Sequence, residues 1–217
     1  MVAFTIISSH GEVARALLAA APDVSVAAGV PHRIWNSHVG RAALHALLNR
    51  THPGAAWRIV ADGRGRPMLA GPRGPGPSVS ISHTRGWIAC AVADHPVGID
   101  VEERRSRDCA AIADYAFGPR ERDRVRHEGA EGFYRVWTVR EAIAKATGDG
   151  LAQVIDHCDR AHDGPDEGRW VYAGADTWLL SHFRPSATIS AAIAVLSRSS
   201  SGWDDEPFDE IRPEALV

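Results

Sequence analysis

The chain has 217 residues, of which 45% are apolar and 24% charged, enough for a sizeable core in one large domain or two small ones. A formal net charge of −3 argues against the basic field of a nonspecific nucleic-acid binder, and no apolar run approaches the roughly 20 residues that span a bilayer. The first residues lack the features of a signal peptide, and three cysteines without CxxC spacing indicate neither a disulfide framework nor a zinc site. We therefore expect a soluble cytoplasmic protein.

The predicted elements of the first hundred residues begin with a strand and two helices, which are followed by strands only. Pro22 ends the first helix, and Pro53 with Gly54 ends the second. The composition of residues 71–77, rich in Gly and Pro, predicts a loop. The predicted strands cover residues 2–8, 57–60, 68–69, 78–82, 87–93 and 97–102, and the predicted helices cover 12–20 and 36–49.

The second part of the chain is predicted to be helical first and strand-rich afterwards. Helical periodicity runs over residues 108–147, with Gly118, Pro119 and Gly129 as interruptions, and its last helix covers 131–147. Further strands are predicted at 154–158, 170–172, 177–183 and 188–196, and a loose tail at 198–217. The order of the elements indicates the α+β class.

Two acidic residues, Asp100 and Glu102, share one face of the strand at 97–102, because alternate residues of a strand project to the same side. Adjacent carboxylates repel each other, and hard oxygen ligands of this kind suit Mg²⁺. The alternative is an exposed strand end with two solvated acids. This segment alone leaves both interpretations open.

A second candidate pair, Glu141 and Lys145, lies one turn apart in the last helix, on the stripe that begins at Trp137. A carboxylate and an ammonium so placed can bind a metal, move a proton and screen phosphate charge. The alternative is an ordinary Glu-to-Lys pair on a helix surface. Lys145 favours the functional interpretation, because it is the single lysine among 24 basic side chains and the other 23 are arginines.

A third segment, SISHT at residues 80–84, places Ser82 and His83 where a strand meets a turn, a position from which a hydroxyl and an imidazole could hold a phosphate. No GxSxG elbow surrounds the serine, so a hydrolase nucleophile is not indicated, and a turn histidine alone is more often structural or solvated. The chain also lacks HExxH, Walker and GxGxxG patterns, which removes support for metalloproteases, P-loop NTPases and dinucleotide-binding enzymes.

In their order along the chain, these segments resemble the motifs of the Sfp-type 4′-phosphopantetheinyl transferases. That family has a GKP-like turn, an NISHS-like segment, a (V/I)G(V/I)D(V/I)E strand and, about 40 residues later, (W/F)(S/T)xKE(A/S)xxK followed by GxGL. The corresponding segments here are GRP at 65–67, SISHT at 80–84, VGIDVE at 97–102, WTVREAIAK at 137–145 and GDGL at 148–151. These segments in this order are far more specific than any one of them.

The resemblance implies a monomeric holo-[acyl-carrier-protein] synthase that uses coenzyme A (CoA) and Mg²⁺. By this resemblance, Asp100, Glu102 and Glu141 bind the metal. Glu141 also accepts the proton of the attacking serine, directly or through a water. Lys145 neutralises or protonates the leaving phosphate. The accepting serine belongs to an acyl or peptidyl carrier protein, and adenosine 3′,5′-bisphosphate is released. Contacts with CoA are implied for Arg41, Arg66, Ser82 and His83, besides Asp100, Glu141 and Lys145.

The resemblance also implies two pseudo-symmetric halves, each a small antiparallel sheet packed with helices, over residues 1–103 and 104–197, with 198–217 as a flexible tail. Arg66 and Arg140 stand where the family has lysines. The carrier protein is expected to dock beside the helices after Glu102. Its acidic surface would meet four arginines of one helix: Arg120, Arg122, Arg124 and Arg126. The alternative is that these arginines form an ordinary solvated helix face.

Two other functions use the same residues. A non-catalytic module that binds CoA or a carrier protein would keep the scaffold without turnover, although the intact acids and lysine count against it. A metal-dependent phosphoesterase would hydrolyse the pyrophosphate of CoA without any carrier.

Overall fold

The helices and strands follow the α+β order predicted from the sequence, and the α+β class is confirmed. The computed structural model describes residues 1–21, 29–71, 76–151, 154, 162–163, 169–173, 177–197 and 208–217. The helices are α1 (Glu12–Ala20), α2 (His32–Thr51), α3 (Cys109–Ala116), α4 (Pro119–Glu128) and α5 (Ala130–Thr147), with a 3₁₀ turn at Pro213–Leu216. The strands are β1 (Val2–Ser8), β2 (Arg58–Ala61), β3 (Pro67–Ala70), β4 (Ser78–Thr84), β5 (Trp87–Ala93), β6 (Val97–Glu103), β7 (His162–Asp163), β8 (Arg169–Ala173), β9 (Thr177–Ser186), β10 (Ile189–Ser197) and β11 (Phe208–Glu210).

The chain forms two compact units, Met1–Pro96 with Glu206–Val217, and Val97–Asp205. The first contains a four-stranded sheet in the order β11-β1-β5-β4 and the separate hairpin β2-β3. Helices α1 and α2 pack on the four-stranded sheet, where Leu17, Leu44 and Ile88 belong to one buried apolar cluster. The burial of these side chains supplies most of the driving force for folding of this unit.

The second unit is built on a five-stranded antiparallel sheet in the order β6-β10-β9-β8-β7. Helix α5 packs on this sheet through small and branched side chains, among them Val139, Ala142 and Ile143, which meet Leu180 and Ala194 in one buried cluster. A second cluster joins α5 to the preceding helices through four aromatic or apolar side chains: Phe117, Val125, Phe133 and Tyr134. Helix α5 is therefore the central element of this unit, fixed on two sides.

Glycines and a proline mark the ends of helices α4 and α5. Helix α4 begins at Pro119 after Gly118, α5 follows Gly129 at φ +61°, and Gly148 ends α5 in the left-handed region at φ +79°. The sequence predicted all three boundaries. The predicted strand at 154–158 lies outside the described residues except for Val154.

The division into halves at residues 103 and 104 remains a prediction, but two segments differ from the expected arrangement. Strand β6, assigned to the first half, pairs along its length with β10 in the second unit. Strand β11, placed in the expected tail, pairs in parallel with β1, and Ile211 packs on the core of the first unit. The acidic C-terminal stretch contains apolar side chains, and their burial on the first unit stabilises this position of the chain end. None of the described helices is long and apolar enough to cross a membrane.

Candidate functional site

The centre of the candidate site is an ion pair between strand β6 and helix α5. Asp100 lies on β6 with only 4% of its side chain exposed, and its Oδ1 accepts a hydrogen bond of 2.5 Å from the Nζ of Lys145 on α5. The two residues are 45 positions apart in the chain. The structure thus brings together two residues that the motifs singled out separately, and Lys145 points at the strand instead of remaining on a solvated helix surface.

Gly98 makes this close approach of strand and helix possible. It lies on the same face of β6 as Asp100, two positions earlier, because strand side chains alternate. A Cβ at this position would lie 1.8 Å from the backbone oxygen of Ala142 and 2.7 Å from the backbone nitrogen of Ala146, both on α5. No side chain fits there. This role was not predicted from the sequence, although a glycine inside a predicted strand is a known signal of close backbone approach.

The two glutamates of the site, Glu102 and Glu141, lie in the electric field of Asp100. Burial raises the pKa of Glu141, and the negative charge of Asp100 raises it further, whereas Lys145 opposes the shift. The pKa of Glu102 is raised in the same way, by burial first and then by Asp100, with a smaller contribution from Glu141. The carboxylates therefore repel one another in a half-buried place, and a bound cation would relieve that repulsion.

The donor set of this cluster fits Mg²⁺ in chemical type. Asp100, Glu102 and Glu141 offer hard carboxylate oxygens, which this ion prefers, and each has a negative neighbour that favours binding of a cation. Among the residues that the structure describes, no three His, Cys, Asp or Glu side chains are grouped as a set of metal ligands. The assignment of the three acids to a metal remains a prediction.

Arg140, which stands where the resembled family has a lysine, is a structural residue in this chain. Its side chain is 3% exposed, and its Nε donates to Glu121 Oε1 at 3.0 Å while Nη1 donates to the backbone oxygen of Ala116 at 2.6 Å. The guanidinium also lies over the ring of Phe117, 4.9 Å from its centroid. Arg140 thus ties α4 and the end of α3 to α5, next to Glu141 in sequence.

The loop after β6 is fixed to α5 by Tyr134, whose hydroxyl accepts from the backbone nitrogen of Arg105 at 2.9 Å. Arg107, farther along this loop, stacks on the ring of Tyr134 at 5.1 Å. Its charge lowers the pKa of Glu102, against the larger effects that raise it. Arg107 is therefore a second cation near the acidic cluster, and sequence reasoning did not identify it.

The remaining predicted site residues lie in the first unit. Arg41 on α2 donates from Nη1 to the backbone oxygen of Ile59 at 3.3 Å. Arg66 lies in the turn between β2 and β3, where its backbone nitrogen donates to Asp62 Oδ1 at 2.9 Å. Ser82 and His83 are consecutive on β4 and face opposite sides, so the serine is buried and the histidine exposed. Their assignment to CoA stays a prediction.

The arginines predicted to meet a carrier protein all lie on α4, and they differ in exposure. Arg124 is 20% exposed and pairs with Glu128 at 3.3 Å. Arg126 is 61% exposed and pairs with Asp123 at 2.6 Å. Arg120 is exposed like Arg126, whereas Arg122 is partly buried like Arg124, so two of the four arginines have the exposure expected of docking residues.

We expect replacement of Glu102 by glutamine to stabilise the protein at pH 7 when no divalent cation is present. A raised pKa means that the charged carboxylate costs stability above that pKa, and the cost disappears as the pH falls below the ordinary value of 4.5. Thermal unfolding at pH 7 should show a midpoint higher by about 2–4 °C, and the gain should vanish near pH 4. The control is Glu103→Gln, which loses an ion pair of 2.8 Å to Arg105 and should not be stabilised. A lower midpoint for Glu102→Gln at pH 7 would contradict the repulsion inferred here.

Comparisons with known proteins agree with the motifs. The family model of the 4′-phosphopantetheinyl transferase superfamily matches residues 96–194, which include Asp100, Glu102, Glu141 and Lys145. The chain is 31% identical over 175 residues to the 4′-phosphopantetheinyl transferase HetI of Nostoc sp., a match that covers 76% of this chain and 70% of that protein.

Two further relatives match over shorter regions. The 4′-phosphopantetheinyl transferase gsp of Aneurinibacillus migulanus is 36% identical over 76 residues, 33% of this chain and 32% of the relative. The 4′-phosphopantetheinyl transferase Sfp of Bacillus subtilis is 30% identical over 103 residues, 46% of this chain and 45% of the relative. These two matches span less than half of either relative. With the motifs, the family model and the extended match to HetI, the chain belongs to the 4′-phosphopantetheinyl transferase superfamily.

Proposed function

We propose that this protein transfers the 4′-phosphopantetheine group of CoA to a serine of an acyl or peptidyl carrier protein, as a monomer that requires Mg²⁺. The observation that carries the proposal is the coupling of Asp100 and Lys145 at 2.5 Å beside the two glutamates whose pKa values are raised. Phosphoryl transfer requires mainly positioning and neutralisation of charge, and a cluster of acids with one lysine supplies both.

Glu141 is the proposed general base. Burial and the charge of Asp100 raise its pKa, which brings the basicity of the carboxylate closer to neutral pH, where a base is most effective. The serine hydroxyl gives its proton to Glu141, directly or through a water, while its oxygen bonds to the β-phosphorus of CoA. The bond from that phosphorus to the bridging oxygen breaks, and adenosine 3′,5′-bisphosphate leaves with the electron pair.

Lys145 is the proposed partner of the leaving phosphate. Its side chain is 30% exposed, so Lys145 can contact an anion from its place beside Asp100. When the leaving group gains negative charge, Lys145 neutralises that charge or donates a proton. Asp100 orients the ammonium through the short hydrogen bond until then.

Asp100, Glu102 and Glu141 are the residues that would hold Mg²⁺. When bound, the ion would neutralise negative charge at the pyrophosphate of CoA. The binding of CoA itself is assigned to Arg41, Arg66, Ser82 and His83 in the first unit, in addition to the acids and Lys145. The family resemblance supports this assignment, and in Arg66 the positive charge of the family lysine is retained.

The test is to incubate the protein with CoA, Mg²⁺ and a panel of apo carrier proteins, and to weigh the carriers. The expected result is the mass of one phosphopantetheine group on at least one carrier, with no transfer after chelation of Mg²⁺. CoA binding by calorimetry without any mass gain would favour a non-catalytic module. Hydrolysis of CoA in the absence of a carrier would favour a phosphoesterase. A folded protein that does neither would refute the proposal.

We expect Lys145→Arg to lower the rate of transfer by about 10²-fold while changing CoA affinity by less than about threefold. A guanidinium is a longer, planar fork, and it cannot occupy the position of a compact ammonium 2.5 Å from Asp100. The measurement is single-turnover transfer on a carrier from the panel. Arg15→Lys, the same type of change at an exposed position of α1, is the control and should keep the rate. If Lys145→Arg kept full activity, Lys145 would be only a source of positive charge.

A further inference from the structure

Two exposed histidines of the first unit, His10 and His32, face each other through the same ring atom. Their Nε2 atoms lie 2.9 Å apart, and the ring centroids lie 4.9 Å apart with the ring planes at 43°. His10 is in the turn after β1 and His32 is the first residue of α2, so the two are 22 positions apart in the chain. The proposed transfer reaction does not use this pair.

Contacts of neighbouring residues hold the two histidines close together. Ser9, which precedes His10, donates from its backbone nitrogen to the oxygen of Gly86 in the turn between β4 and β5, at 2.9 Å. The backbone oxygen of Ser9 accepts from the indole Nε1 of Trp35 at 2.7 Å. Because Trp35 lies three positions after His32 on α2, this bond ties the start of α2 to the turn that carries His10. The imidazoles are therefore brought together by the backbone as well as by their own contact.

A separation of 2.9 Å between two imidazole nitrogens fits a shared metal ion as well as a hydrogen bond. With metal–nitrogen bonds of about 2.0–2.1 Å, this separation corresponds to an angle of about 90° at the ion. Such an angle is typical of the square or octahedral coordination of Cu²⁺ and Ni²⁺, whereas a tetrahedral ion would place the nitrogens about 3.3 Å apart. The torsion of an imidazole about its Cβ–Cγ bond is broad, so two exposed rings can turn until both lone pairs point at one ion.

We propose that His10 and His32 form a binding site for a late first-row divalent ion, Cu²⁺ or Ni²⁺, with water molecules as the remaining ligands. Imidazole nitrogens suit these ions, and affinity for a given site rises from Ni²⁺ to Cu²⁺ and falls again at Zn²⁺. The imidazole that donates the hydrogen bond carries its proton on Nε2. That proton moves to Nδ1 when the ion binds, so that both Nε2 atoms offer a lone pair.

The histidine pair differs from the carboxylate cluster in its chemistry and in the unit to which it belongs. Its two ligands are nitrogens of the first unit, whereas Asp100, Glu102 and Glu141 are oxygen donors of the second unit. Mg²⁺ prefers oxygen ligands, so an excess of Mg²⁺ can occupy the acids without competing for the imidazoles. Binding at the histidine pair can therefore be measured whether or not the protein transfers phosphopantetheine.

The first measurement is a calorimetric titration of the full chain, free of any affinity tag, with Cu²⁺ and Ni²⁺ in separate arms and excess Mg²⁺ in the buffer. The expected result is saturation at one ion per chain in both arms, with Cu²⁺ bound more tightly than Ni²⁺. Electron paramagnetic resonance of the Cu²⁺ complex should show coupling to two imidazole nitrogens. The absence of saturable binding, or coupling to a single imidazole, would overturn the proposal.

Substitutions of single histidines complete the test. Loss of a residue that only orients a metal-bound histidine costs about 10–100-fold in affinity, so His10→Ala and His32→Ala should each weaken Ni²⁺ binding by at least about tenfold. His127→Ala, at an exposed position of α4, is the matched control and should bind Ni²⁺ as the original chain does. All three side chains are exposed, so the fold should tolerate their removal, and circular dichroism checks that it does.

Two results of this comparison would show that the ions bind only at scattered single histidines, and either would overturn the proposal. One is unchanged affinity in both variants of the pair. The other is an equal loss of affinity in His127→Ala.

Discussion

Replacing Glu141 with glutamine is expected to reduce transfer by about 10³-fold and to leave CoA affinity within about threefold of the original value. Glutamine keeps the shape of the side chain but cannot accept the proton of the attacking serine. It also removes a charge whose burial beside Asp100 already costs free energy, as the raised pKa of Glu141 shows. The substitution should therefore lower the rate of transfer without lowering the stability of the protein.

Parallel measurements on His83→Ala make this result specific. His83 is exposed on β4 and is assigned by resemblance to CoA, so its loss should weaken CoA binding by about tenfold and affect the rate at saturation much less. Glu131→Gln, a change of the same type on α5, is the matched control for Glu141→Gln and should transfer normally. An equal loss of binding and rate in Glu141→Gln and His83→Ala would contradict the separate roles.

Gly98→Ala is expected to abolish transfer and to destabilise the protein by about 3 kcal/mol or more. The new Cβ would lie 1.8 Å from the oxygen of Ala142, so β6 and α5 must separate or shift. Both elements are packed into a buried apolar core, and moving them costs contacts throughout the second unit. A separation would also pull Lys145 from Asp100, so activity would be lost even in molecules that remain folded.

The matched control for this substitution is Gly63→Ala. A Cβ at Gly63 would meet no atom within 4 Å, and its φ is not in the left-handed range. Replacement there should change stability by about 0.5 kcal/mol or less. The measurements are chemical denaturation and the transfer assay on both variants. Normal transfer by Gly98→Ala would show that the strand and the helix are not held at the distance described.

The sequence predicted the elements of the second unit well, because glycines and prolines mark their ends. Gly118, Gly129 and Gly148 bound the helices where the chain requires a break or a left-handed conformation. It also predicted the four residues of the carboxylate and lysine cluster, since the motif types and their order along the chain are specific.

Pairings between distant residues could not be predicted in the same way. The hydrogen bond from Lys145 to Asp100 joins residues 45 positions apart. It depends on the close packing of β6 against α5, which the lack of a side chain at Gly98 permits. Strand β11 was missed because its three residues gain their structure from β1 and not from local periodicity.

The packing of α5 against Gly98 restricts which substitutions this position can accept during evolution. Every substitution at this position adds a Cβ, and the atom it would meet belongs to the backbone of α5, which no replacement of a neighbouring side chain can remove. A second substitution therefore cannot compensate for a replacement of Gly98. At most core positions, by contrast, a smaller neighbouring side chain can make room for a larger one. As long as this glycine is kept, β6 and α5 can approach closely enough for the hydrogen bond from Lys145 to Asp100.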